Sequence, residues 1–195
     1  MDNFMSADQS ARVPIATARW RRLDLPGDDS ASVYSIEGGY LLQGTAQFKQ
    51  NDQIVHIEYS VTTDLLWKTI AGSMTGLIAA RRVEHSIRHT DTGWVLDGNL
   101  APGLNHLVDL DYDFTPATNY IQLRRMALPM RQSRSLPVAW FRLSAASIAE
   151  LPQLYDRSTE TTYRYAAPTC GYDGLLELAE NGFMRRYPCL WEMQP

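Results

Sequence analysis

Asp109, Asp111 and Asp113, set two residues apart, are the side chains whose type and spacing speak most directly of chemistry. They alternate with Val108, Leu110, Tyr112 and Phe114. On an extended strand the acids therefore share one face and the apolar residues the other. Like charges on one face repel, so solvent, a cation, a ligand or a nearby arginine must relieve them. The segment runs into Thr115-Pro116, where proline ends the ladder, then Ala117-Thr118-Asn119, with Arg124-Arg125 shortly after. Such a set fits acid/base work by Asp109 or Asp111, a divalent cation on Asp-x-Asp, or an acidic face neutralised by arginine. The enzyme reading lacks support elsewhere. There is no glycine-rich strand-to-helix loop and no Gly-x-Ser-x-Gly elbow.

If Tyr120–Ala127 is a returning strand with Ile121 and Leu123 on the apolar side, Arg124 lies with the aspartates. Arg125 then points toward the apolar face. An arginine in an apolar cleft suits an anionic or sugar head group, because its planar fork holds pairs of oxygens. The histidines (His56, His85, His89, His106) show no metal spacing. Cys170 and Cys189 form no Cys-x-x-Cys pair, so neither a zinc site nor any other metal is expected, and both thiols are expected free. Five tryptophans and ten tyrosines fit a core or, if some line a cavity, an apolar wall with a hydroxyl rim.

These side chains need a scaffold, and the pattern supplies strands. At 195 residues, 45% hydrophobic and 21% charged, the chain suits one globular domain. A net charge of −4 argues against nucleic-acid binding. No apolar run approaches the roughly 18 residues that span a bilayer. Met1–Ser6 is polar and acidic, unlike a secretory signal, so a cytoplasmic location is expected.

Residues 1–17 read as a flexible leader to a single β domain over 18–195. Strands are expected at Trp20–Leu25, Val33–Glu37, Tyr40–Phe48, Gln53–Thr62, Leu77–Arg88, Trp94–Leu96, Leu107–Phe114 and Tyr120–Ala127. Further ones are expected at Val138–Leu143, Thr161–Ala166, Leu175–Leu178 and Phe183–Tyr187. Gly38-Gly39 signals a hairpin, Pro26-Gly27-Asp28-Asp29 a turn, and Ser147–Asp156 one short helix. Many short strands imply an antiparallel sheet that must curl or pack on something. Trp20-Arg21-Arg22-Leu23 is echoed by Trp140-Phe141-Arg142-Leu143, 140 − 20 = 120 residues on, as duplicated halves of about 18–126 and 127–195 would produce.

Asp109-Leu110-Asp111, Thr115 to Asn119 and Arg124-Arg125 resemble the central signature of the bacterial glycolipid-binding family, formerly a domain of unknown function. Trp20, the Tyr59–Trp67 region with Asp64, and the closing Tyr187-Pro188-Cys189-Leu190-Trp191 fit the same family. His106-Leu107 and Gln122 depart from it. The resemblance implies a curved antiparallel sheet, or open barrel-like fold, of two similar halves. It also implies a protein that holds a glycolipid or another amphipathic ligand, with no cofactor and no turnover. The residues expected at the ligand are Asp109, Asp111, Asn119, Arg124, Arg125, Trp67, Tyr187 and Trp191. Two other readings stay open: a hydrolase or isomerase using Asp109 or Asp111, and an interaction module whose sheet edge pairs with a partner.

Overall fold

The structure, a computed structural model, describes residues 13–195. Alternating burial builds a long meander: β1 (Ala16–Arg22), β2 (Gly27–Ile36), β3 (Gly39–Gln50), β4 (Gln53–Asp64), β5 (Thr69–Ile78), β6 (Arg81–Thr90), β7 (Gly93–Leu96) and β8 (Asn99–Leu100). In β4, Val55, Ile57, Tyr59 and Val61 are buried while the intervening residues turn outward, the period of two that fixes its register. The β2–β3 hairpin closes through Glu37-Gly38, with Gly38 at φ 79°.

An insert follows: β9 (Leu110–Tyr112), α1 (Thr118–Met126), β10 (Ser133–Ser135), which joins the edge of the large sheet, β11 (Val138–Arg142) and β12 (Ser147–Leu151). The chain then returns as β13 (Leu154–Arg157), β14 (Thr162–Ala167), β15 (Tyr172–Leu178), β16 (Met184–Tyr187) and β17 (Trp191–Met193). Fourteen of these strands form one curved antiparallel sheet, in the order β10-β13-β14-β15-β16-β17-β1-β2-β3-β4-β5-β6-β7-β8. It is not closed, because β10 and β8 remain its two edges. Pairing of β17 with β1, Trp20 opposite Met193, joins the two ends of the described chain.

A second sheet, β12-β11-β9, has β9 parallel to β11. It packs in the concavity of the large one. Leu110 and Tyr112 point at β5, where Gly72 leaves the room they occupy and a Cβ would collide with both. Tyr112 also donates to the Ser60 carbonyl at 3.1 Å and packs edge-on against Phe141. Burying a large apolar side chain of this kind stabilises the fold by roughly 1.5–3 kcal/mol.

Several expectations change. Residues 120–127 are not a strand: α1 occupies Thr118–Met126, and Ala127 ends it in the left-handed region at φ 42°. Ser147–Asp156 is not a helix, since it forms β12 and β13 with Pro152 in the break between them. Asp28 and Asp29 belong to β2 rather than to a turn. The segment Leu77–Arg88 belongs to two strands, β5 and β6, linked by Ala79 and Ala80 at positive φ. Trp20 and Trp140 are not equivalent: β1 lies inside the large sheet and β11 in the small one. Most of the expected leader, 1–17, lies outside the described residues, but Ala16 and Thr17 open β1. Among the described residues no helix is long and apolar enough to cross a membrane.

Candidate functional site

The alternation of β9 does what its residue types dictate. One face carries Leu110 and Tyr112 onto the large sheet, and the other carries Asp109 and Asp111 toward α1. Asp109 is 0% exposed and Asp111 8%, so the acidic face is buried rather than wet. Helical spacing then brings Thr118, Gln122 and Arg125 to that face, four and three residues apart. Arg125 grips Asp109 with both arms of its fork, Nε to Oδ1 at 2.7 Å and Nη2 to Oδ2 at 2.5 Å. Asp111 receives the Thr118 hydroxyl at 2.5 Å, Gln122 Nε2 at 3.1 Å and Gln153 Nε2 at 3.4 Å. Behind it, Tyr155 donates to Gln122 Oε1 and accepts from Asn119 Nδ2.

Hydrogen bonds to Asp111 favour its charged form, but burial outweighs them and lifts its pKa to about 7. Asp109 is raised by burial too, with Arg125 opposing. A second carboxyl of this kind was not among the residues expected from the sequence. Asp29 of β2, 1% exposed, takes Tyr59 Oη at 2.9 Å and the Thr115 hydroxyl, and burial again lifts it to about 7. Thr115 also bonds Tyr59 at 2.8 Å and accepts the Ala117 N–H, which ties this cluster to the start of α1.

Between the acidic face and strands β14–β17 lies a cavity of about 250 Å³. Asp111, Asn119 and Thr115 form its polar wall, and Tyr165, Tyr187 and Trp191 face them. The mouth is set by exposed Asp113 and Cys170 and half-buried Trp140, Tyr172 and Leu190. Asp113 sits shallower than Asp111. Although the residue is open to solvent on one side, the protein packed around its carboxyl raises it to about 6, against the Leu143 N–H and the Arg22 and Arg142 charges. The tyrosines brace one another: Tyr172 and Tyr187 meet edge-on at 5.0 Å, Tyr165 and Tyr187 at 5.8 Å. Tyr172 fixes the rim by donating to the Pro188 carbonyl at 3.1 Å.

Four of the eight residues expected at a ligand therefore line one cavity: Asp111, Asn119, Tyr187 and Trp191. Asp109 and Arg125 form the ion pair next to it. Trp67 and Arg124 lie elsewhere: Trp67 stacks on Tyr40 at 3.7 Å and meets Tyr120 edge-on, while Arg124 lies over the outer side of Tyr120 and reaches the Asn181 carbonyl. The helix explains the swap of arginines, since a turn of 3.6 residues aims position 125, not 124, at β9. Asp29, Thr115, Tyr165 and Tyr172 were missing from the expected set. Alternation could have found Asp29, had the Pro-Gly before it not read as a turn.

The histidines stay apart, His85 on Asp97, His89 on Trp94 and His106 on Glu150. Among the described residues no three His, Cys, Asp or Glu side chains gather as metal ligands. A pocket of aromatic faces, amides, hydroxyls and a protonatable carboxyl can do two things. It can hold a polyhydroxylated or polar group, and it can exchange a proton with it near neutral pH.

Two solved structures share the fold. A DUF1089 family protein from Pseudomonas aeruginosa superposes with a TM-score of 0.72 at 16% identity, over 98% of this chain and 99% of that one. A β-barrel-like protein of the domain of unknown function DUF1849 from Brucella abortus gives 0.52 at 10% identity, over 93% and 97%. No curated protein matches the chain. Residues 17–193 match the family described as "Putative glycolipid-binding", and the chain belongs to that family.

Proposed function

We propose that this protein binds the polar head of an amphipathic ligand, a glycolipid, in the cavity between β9–α1 and β14–β17. The observation that carries the reading is the lining. Trp140, Trp191 and Tyr172 offer flat apolar faces to a sugar ring, while Asp111, Asn119 and the tyrosine hydroxyls offer partners for its hydroxyls. The family description points the same way. Size narrows the reading. At about 250 Å³ the cavity takes a head group of roughly one sugar ring, some eight waters' worth, rather than a head with long acyl chains. Leu110, Tyr112, Phe114 and Phe141 are buried beside it and leave this cavity no room for acyl chains, so the chains would lie outside the mouth.

The test is a titration with short-chain glycolipids, competed by the free sugar and by a fatty acid. Saturable binding, with the glycolipid displaced more readily by sugar than by fatty acid, is the expected result. Binding of fatty acid alone, or of nothing above a control protein, contradicts it.

One observation favours a second reading. Asp111, with a pKa of about 7, is poised to give and take a proton inside the cavity, as a hydrolase or isomerase would require. Recovery of the glycolipid after prolonged incubation separates the two: unchanged ligand supports binding, and a cleaved or isomerised product supports the enzyme.

A further inference from the structure

Asp64, Trp67 and Arg124 stand out in the sequence but lie away from the cavity, at the β4–β5 turn and beside it. That turn, Asp64 to Lys68, is pinned by its own hydrogen bonds. Asp64 Oδ1 accepts the N–H groups of Leu66 and Lys68, both at 2.8 Å. The Asp64 N–H donates to the Lys68 carbonyl at 3.0 Å, and the Trp67 N–H to the Asp64 carbonyl at 3.1 Å. Trp67 sits at φ 63°, a left-handed conformation that bulky residues keep only where their surroundings impose it. Here the Tyr40 ring imposes it, stacked on the indole at 3.7 Å with 3° between the planes.

The consequence falls on the two residues before the tryptophan. With the indole folded back on the sheet, Leu65 and Leu66 project from the tip, 66% and 67% exposed. Ile70, near the start of β5, is 47% exposed. Scattered exposed leucines need no explanation, but adjacent ones held outward by a strained and pinned turn do. Cations frame the tip. Lys68 ends the turn and is exposed. Arg124, also exposed, lies over Tyr120 at 5.0 Å, and Tyr120 meets Trp67 edge-on at 5.7 Å. Among the described residues neither cation forms an ion pair, and Glu37 on the neighbouring hairpin bonds neither.

We propose that this tip docks on an anionic phospholipid bilayer. Leu65 and Leu66 enter the acyl boundary, the Trp67–Tyr40 stack rests at the interface, and Lys68 and Arg124 meet the phosphates. Each part follows its chemistry. Apolar side chains gain by leaving water, aromatic rings with a polar edge favour the head-group level, and basic residues are drawn to anionic lipid. The pinned turn helps by ordering the leucines before they bind. A net charge of −4 repels such a surface elsewhere on the molecule, so contact is confined to the tip. Tip and mouth lie at opposite ends of the large sheet. Strand β1 begins beside β2, Ala16 opposite Val33, toward the tip, and ends beside β17, Arg22 opposite Trp191, at the mouth. A docked molecule therefore keeps its mouth open to water, and docking stands apart from the head-group reading.

Co-sedimentation with vesicles tests it. The vesicles are dioleoyl phosphatidylcholine alone, or with roughly one quarter dioleoyl phosphatidylglycerol, and hold no glycolipid. The full chain is compared with the double variant Leu65→Ser/Leu66→Ser, with Lys68→Glu and with Arg124→Glu, all at exposed positions. Melting temperatures are recorded for each. The proposal expects the full chain to bind the anionic vesicles. The double variant should lose roughly tenfold or more in partitioning with its melting unchanged. Each charge reversal should weaken binding to the anionic vesicles severalfold and leave that to phosphatidylcholine as it was. Binding of the full chain no greater than that of a control protein of similar net charge would overturn the proposal. So would binding that the double variant leaves unchanged. A vesicle-free dimer in the ultracentrifuge that the double variant dissolves would overturn it too, making the tip a contact between copies of this chain.

Discussion

Strand β9 meets the large sheet in two different ways on its two faces. Toward β4 and β5 the interface is mainly apolar: Leu110 and Tyr112 close over Gly72, and Tyr59, Phe114 and Phe141 pack around them, with the Asp29–Tyr59–Thr115 cluster at its margin. Toward α1 and β14–β17 the same strand presents two buried carboxylates, an arginine, three amides and a cluster of tyrosines around a cavity. The apolar interface holds the insert in place at little polar cost. The polar one retains charges that a purely structural contact would replace with hydrocarbon at no loss, or at a gain. The cavity beside these buried polar groups is what supports the binding reading proposed for that side.

That contrast can be broken by substitution. The largest effect is expected at Arg125→Ala, which strands Asp109 without its counter-charge and should cost about 3–5 kcal/mol, measured by denaturant unfolding. A loss under about 1 kcal/mol would mean that the polar interface is not a tight one.

The next test is pH. Asp111 and Asp29 have folded pKa values of about 7, against about 3.9 in the unfolded chain. Between about pH 4 and 7 the unfolded chain has released these protons while the folded chain keeps them. Stability from these groups therefore falls as pH rises through that window, and the penalty is complete above pH 7, up to about 4 kcal/mol for each. Asp111→Asn should flatten the curve and raise the melting temperature at pH 8 relative to pH 5. A curve identical to that of the unmodified protein would show Asp111 to be ionised throughout.

On the apolar side, Leu110→Ala should cost about 3 kcal/mol at every pH, because it removes packing and no titrating group. The smallest effect belongs to Arg124→Ala. This exposed side chain bonds one carbonyl and lies on Tyr120, so its loss should stay below about 0.5 kcal/mol by the same unfolding measurement. Neighbouring arginines are thus predicted to differ severalfold in effect.

Arg124 and Arg125 also show where the sequence was legible and where it was not. Most strands of the meander, the β2–β3 hairpin (expected at Gly38-Gly39 and found one residue earlier, at Glu37-Gly38) and the two faces of β9 follow from alternation and turn residues, so the curved sheet was readable. The helix was not. Thr118, Asn119, Tyr120, Ile121, Gln122, Leu123 and Met126 are all buried, so α1 has no polar stripe to reveal a period of 3.6, and no side chain caps its start. Read as a strand, it put the wrong arginine on the aspartates. Ser147–Asp156 failed in the opposite sense, because Ile148, Leu151, Leu154 and Tyr155 match helical spacing while belonging to two strands either side of Pro152. The hairpin at Ala79-Ala80 carries no glycine or asparagine to announce it, so the expected strand Leu77–Arg88 ran through the turn, and most of β5, Thr69 to Gly76, was not expected. Of the site, the acidic strand and the closing Tyr187–Trp191 segment were visible. Asp29 and Thr115 meet across 86 residues of sequence, a closeness that only the curvature of the sheet creates.

The account turns on the cavity being the binding site. Ala167 lines it and is 2% exposed, so Ala167→Leu would put three extra carbons into the space without removing any polar group. The decisive measurement is the affinity of a short-chain glycolipid for the unmodified protein and for this variant, with melting temperatures recorded for both. The account predicts saturable binding that the filled cavity weakens at least tenfold while the melting temperature stays within a few degrees. Equal affinity for the two proteins would contradict it.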